Sequence, residues 1–179
     1  MRILFCIWTI LAAALCLNDA RAFPDGAPWG AANHSAPDNC TSCHFDSEAT
    51  RDSRILHIEG LPEDPVPGET YDLIIRFDNT DAATVGFQLI AQAEDDQAGT
   101  FVSAAADVET VGAAIRSTSP KKSNGAVSWT LQWHAPKVFS VPIVFDVAAS
   151  AANDDGSPLG DKIHFRSYSL PATRQKPDD

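Results

Sequence analysis

From Arg54 onward, apolar side chains recur at every second residue, and this period most restricts the folds open to the chain. Tyr71, Leu73, Ile75 and Phe77 alternate with Asp72, Ile74, Arg76 and Asp78. Val85, Phe87, Leu89 and Ala91 form a second such face, and Ile143, Phe145, Val147 and Ala149 a third. Val127, Trp129, Leu131 and Trp133 alternate with Ser128, Thr130, Gln132 and His134. Strict alternation marks half-buried antiparallel strands, because successive side chains of a strand point to opposite faces. Pro67-Gly68, Asn79-Thr80-Asp81, Ser123-Asn124-Gly125 and Asp154-Asp155-Gly156 supply turn chemistry between the runs. The segments Arg54–Glu59, Thr70–Phe77, Val85–Gln92, Val108–Ile115, Ala126–Trp133, Val141–Ser150 and Asp161–Tyr168 predict about seven strands. An all-β fold follows, a β-sandwich over residues 54–169 with Trp129 and Trp133 at its heart. The Ala-rich stretch Ala104–Ala114 leaves helix or irregular edge open, and residues 170–179 form a polar tail.

Residues 23–53 follow no such period. Phe23-Pro24-Asp25-Gly26-Ala27-Pro28-Trp29-Gly30 and Ser35-Ala36-Pro37-Asp38 are rich in turn formers, and no helical stripe precedes Cys40. Within this segment stands Cys40-Thr41-Ser42-Cys43-His44, which matches C-x-x-C-H, the attachment motif of haem c. Two thiols at this spacing form thioethers to the haem vinyls, and the next His is the proximal iron ligand. Of four cysteines, Cys6 and Cys16 lie in residues 1–22, which read as a cleaved signal peptide. Arg2 is its basic start, Ile3 to Leu17 its apolar run, and Ala20-Arg21-Ala22 its cleavage site. The run is shorter than a membrane span, and Leu15 is too large for a lipobox ahead of Cys16. The exported chain then holds two thiols, both in the motif, and a periplasmic or secreted address suits haem c chemistry. Asn33-His34-Ser35 and Asn39-Cys40-Thr41 match the glycosylation triplet, a pattern that carries no weight in a bacterium.

Haem attachment at Cys40, Cys43 and His44 leaves the second axial position to be filled. Met1 is the single methionine and leaves with the signal peptide. The alternatives are another histidine, a donor such as Lys or the new α-amino group, or an open iron. His34 and His57 rank first because they lie nearest the motif, ahead of His134 and His164. Alternation places His57, His134 and His164 on outward faces. Two histidine ligands give a low-potential electron carrier, whereas an open iron suits a small-ligand sensor or peroxidase. A second cluster, Asn153, Asp154, Asp155 and Asp161 around Gly156, resembles an oxygen-rich calcium loop. It lacks EF-hand spacing, and Asp-Gly is also ordinary hairpin chemistry. Glu94-Asp95-Asp96 reads as an exposed loop, and no nucleophile triad, phosphate loop or dinucleotide fingerprint is present.

The whole chain carries 24 acidic and 13 basic side chains. Loss of Asp19, Arg2 and Arg21 with the leader brings these to 23 and 11, a formal charge of −12. That balance argues against nucleic acid or an anionic membrane surface as a partner. It suits a redox partner with a basic docking surface, and equally a surface that only keeps an exported domain soluble.

The ordered blocks along the chain resemble bacterial reelin-domain-like proteins of the choice-of-anchor V group. They run from Ala36-Pro37 and Asn39–His44 through Gly60-Leu61-Pro62, Pro67-Gly68-Glu69-Thr70-Tyr71 and Gly86-Phe87-Gln88-Leu89. Ala98-Gly99-Thr100-Phe101, Trp129 to Trp133-His134-Ala135-Pro136, and Val144-Phe145 through Ala152-Asn153-Asp154-Asp155-Gly156 to Gly160-Asp161 complete them. The resemblance implies an immunoglobulin-like β-sandwich preceded by an irregular haem-binding segment, in an exported setting, and it implies no reaction. The chain departs from the group in ending on the polar Gln175–Asp179 without a sorting signal, and in His134, where a small polar residue is commoner. The expected function is that of an exported monohaem c-type cytochrome, an electron-transfer protein and not an enzyme. The alternatives are an extracytoplasmic binding or adhesion module, with Cys40 and Cys43 a redox pair, metal clip or vestige, and a haem-based sensor or peroxidase.

Overall fold

Each alternating run becomes a strand, and the strands close into two antiparallel sheets. The computed structural model describes residues 30–79 and 81–172. Residues 1–22, expected to be a signal peptide, the turn-rich start Phe23–Trp29 and most of the expected polar tail lie outside these residues. In chain order the strands are β1 (Leu56–Glu59), β2 (Thr70–Asn79), β3 (Thr84–Ala93), β4 (Asp96–Gln97), β5 (Thr100–Ser103), β6 (Val108–Val111), β7 (Ala114–Ser117), β8 (Lys121–Lys122), β9 (Gly125–His134), β10 (Ile143–Ala152) and β11 (Lys162–Leu170). One sheet runs β1-β2-β9-β5, and the other β11-β10-β3-β7-β6 with β4 and β8 also paired to β3. The fold is an all-β, immunoglobulin-like sandwich.

The core lies between the sheets, built by the alternation itself. In the smaller sheet Tyr71, Leu73, Ile75 and Phe77 stand opposite Trp133, Leu131, Trp129 and Val127. From the larger sheet come Val85, Phe87, Leu89, Phe145 and Val147. Trp129 and Trp133 are 1% and 0% exposed, so they are the heart of the core as the alternation predicts. The Trp129 ring lies 4.8 Å from that of Phe87, and the Trp133 ring 4.9 Å from that of Phe145. Burying each such side chain contributes about 1.5–3 kcal/mol relative to leaving it exposed.

The outer faces of the two sheets differ, and that difference positions the site. On the smaller sheet the outer face carries Asp72, Arg76, Ser128, Thr130 and Gln132, as a solvated face should. On the larger sheet Gln88, Ile90, Ala114, Ala148, Ile163 and Phe165 are all buried although they do not face the core. Ala32, Cys40 and Ala49 pack on this second apolar cluster, so the segment carrying the cysteine motif covers it. The end of that segment also pairs with the edge strand β11. Thr50 N donates to Ile163 O, Phe165 N to Thr50 O, and Ser53 N to Phe165 O.

Two expectations need correction. Val108–Ile115 is not one strand but the hairpin β6–β7, because Gly112 at φ 60° reverses the chain between them. His164 does not face outward: it is 8% exposed, edge-on to the core ring of Phe77 at 5.0 Å. On β11 the apolar residues Ile163 and Phe165 face the covering segment, so the alternation there runs opposite to that of an open face.

Candidate functional site

Asn39 shapes the turn that carries the motif. Its Oδ1 accepts from Thr41 N at 2.9 Å and from Thr41 Oγ1 at 2.7 Å. Its Nδ2 donates to Ala36 O at 2.9 Å and His34 O at 3.3 Å. An Asn at this position satisfies amide groups that the first turn of a helix leaves unpaired. A single 3₁₀ turn, Cys40–Ser42, follows, and His44 N closes onto Cys40 O at 3.1 Å. Cys40, Cys43 and His44 are thereby gathered on one short stretch of backbone. The Asn39-Cys40-Thr41 triplet is a capping device here, with its amide fully engaged.

These three residues line one cleft of about 300 Å³ on the outer face of the larger sheet. Its floor is made of small or apolar residues from β3 and β10, Gly86, Ala148, Ser150 and Ala152, with Ile163 beside them. Gln88 is buried there and its Oε1 accepts from Ala32 N at 3.2 Å, which ties the segment to the sheet. Ser117, at the end of β7, and Thr118 to Pro120 after it form part of its wall, with Arg116, whose Nε donates to Glu109 Oε1 at 2.9 Å. Apolar clefts of this size with a few convergent polar groups are the usual form of small-molecule sites.

Within the cleft the donors differ in character. Cys40 and Cys43 are free thiols. Cys40 Sγ donates to Ala31 O at 3.2 Å, and burial pushes its pKa up to about 12, with Cys43 adding to the rise. With no metal or other group bound, such a sulfur stays a neutral thiol. His44 Nδ1 lies 2.9 Å from Asp161 Oδ2. This is ion-pair distance without hydrogen-bond alignment, and among the described residues the buried Nδ1 has no aligned acceptor. Desolvation raises the pKa of the Asp161 carboxyl above its ordinary value, opposed by the Asn153 amide and His44.

The donor set fits haem c: two thiols at the attachment spacing and one imidazole share one apolar cleft, and a carboxylate faces Nδ1 of that imidazole. The structure brings Cys40, Cys43, His44 and Asp161 together. It does not bring the other histidines. His34, whose ring lies 6.1 Å from that of Phe165, does not line the cleft. His57 sits on β1 of the opposite sheet, with Nε2 3.6 Å from Asp78 and Nδ1 3.5 Å from Arg166 Nη1. His134 Nδ1 pairs with Thr70 Oγ1 at 2.5 Å and His164 Nδ1 with Ser53 Oγ at 3.0 Å.

Asp155 accepts from Asn153 Nδ2 at 3.0 Å and Ser157 N at 2.8 Å, and Asp161 Oδ1 from Asn153 N at 3.4 Å. Among the described residues, no group of three or more His, Cys, Asp or Glu is placed to hold a metal ion. No described helix is long and apolar enough to cross a membrane.

No family model matches the chain, and no curated protein does. Solved structures do. The reelin-N domain of F-spondin superposes with a TM-score of 0.54 at 19% identity, over 75% of this chain and 97% of that one. The human F-spondin reeler domain gives 0.51 at 21% identity, over 70% and 95%. At these identities the likeness is one of fold: the sandwich is reelin-like.

Proposed function

We propose that this chain is an exported binding module of the reelin type whose cleft carries a covalently attached haem c, making it an electron-transfer protein and not an enzyme. The observation that supports this reading is the convergence of Cys40, Cys43 and His44 on one apolar cleft. In the reading, residues 1–22 direct export to the periplasm or beyond, residues 23–53 hold the haem, and 54–169 form the platform beneath it. The haem, once bound, supplies one-electron chemistry at the iron. The chain's own residues do the rest. Cys40 and Cys43 would hold the haem by adding their S–H bonds across its two vinyl groups, sulfur to one carbon and hydrogen to the other, with no oxidant needed. His44 gives the iron a nitrogen ligand. Because Cys43 is exposed and lines the cleft, a haem held by it would be open to a redox partner. None of the other histidines lines the cleft.

A second reading is a binding or adhesion module whose cleft takes a different apolar ligand. The fold likeness to the F-spondin domains favours it. Expression of the full chain in a host with haem c maturation machinery separates the two. Haem stain surviving denaturation, a c-type pyridine haemochrome spectrum, and loss of both in C40A/C43A support the first. A folded, colourless wild type under those conditions rejects it and leaves the binding module. Binding of CO by the reduced protein without displacement of a ligand supports an open iron.

A further inference from the structure

Asp161 lies far in sequence from the C-x-x-C-H motif, yet its carboxylate faces the motif's imidazole. It stands directly before β11, 3% exposed, with Oδ2 2.9 Å from His44 Nδ1. The backbone holds it there from both sides. Asn153 N donates to its Oδ1, and Gly160 N donates at 2.6 Å to Asp46 Oδ2, which staples the loop before β11 to the chain just past His44. A buried carboxylate is costly unless it is partnered, so this placement over an otherwise unpaired ring nitrogen has a chemical consequence. A carboxylate facing Nδ1 favours the tautomer with the proton on Nδ1 and the lone pair on Nε2. A metal-binding histidine held this way is fixed in orientation and is a more basic ligand.

We propose that Asp161 is a positioning residue for His44, holding the ring as the Nδ1–H tautomer so that Nε2 is the iron ligand and donates more strongly to it. The inference rests on the haem reading in its second half only. Its first half concerns the chain itself. Two measurements test it. Nitrogen-15 NMR of the haem-free full chain, mildly alkaline so that the rings are neutral, reads the His44 tautomer directly. The Nδ1–H form is expected, and a proton on Nε2 overturns the proposal whether or not any variant folds. In the haem-loaded chain, D161N is expected to keep its covalent haem, since both thiols remain, while its reduction potential rises above that of the wild type. An unchanged potential with haem retained overturns the second half. Failure of the wild type to take up haem at all rejects the haem reading and leaves the tautomer result standing by itself.

Discussion

His164 has a ring that charges at mild acidity and a place where charge is unwelcome. Burial lowers its pKa below the ordinary 6.5, and Lys162 on the same strand adds to the lowering. Around it stand Ser53 Oγ, 3.0 Å from Nδ1, and the Phe77 ring, neither of which compensates a cation. The folded state therefore binds this proton less readily than the unfolded chain does. The stability it contributes is complete above 6.5 and is lost as pH falls through the lower folded value. Wild type and H164Q should be compared by denaturant unfolding from neutral pH downward. The wild type should lose stability in the window opening at 6.5, and the variant should stay flat until the carboxylates titrate. Parallel curves would count against the buried-ring account.

At the scale of elements, the segment from Gly30 to Ser53 matters most, because its position follows from one turn. Asn39→Ala removes two accepted and two donated hydrogen bonds at the start of the Cys40–Ser42 turn. A lost cap of this kind costs about 1 kcal/mol. Hydrogen exchange at Ser42 and His44 should quicken about fivefold for that amount, with the amides of β2 and β9 unchanged. Equal acceleration everywhere would mean that the turn and the sandwich are a single cooperative unit.

The long strands were legible because ten-residue runs such as β2 and β9 repeat their period several times. β4 and β8, at two residues each, leave no period to read. Cys40, Cys43 and His44 were legible as contiguous chemistry. Asp161 was read only as a member of an acidic turn, since its partnership with His44 exists only once β11 and the segment lie side by side. The covered outer face left one trace in the sequence. Ile163 and Phe165 are apolar although the fold places them on the sheet's outer face, while His164 takes the inside.

As a whole the molecule combines a net charge of −11 over the full chain with a cleft that opens on one face of one sheet. With haem in place, electron exchange with a basic protein should be fast at low salt. It should fall by roughly tenfold or more towards 0.2 M ionic strength as the attraction is screened. Stopped-flow rates over that range check it. A rate that is flat or rises with salt would mean that the acidic surface only keeps the domain soluble.

The backbone bonds from Thr50 and Ser53 to β11 have a consequence unconnected with iron. β11 is the last strand of its sheet, and a bare outer strand offers its amides to any passing strand of another molecule. The motif segment lies along that margin and occupies part of it. Lifting the segment away therefore uncovers an adhesive border as well as the cleft, so integrity of the segment and freedom from self-association are tied to the same few bonds.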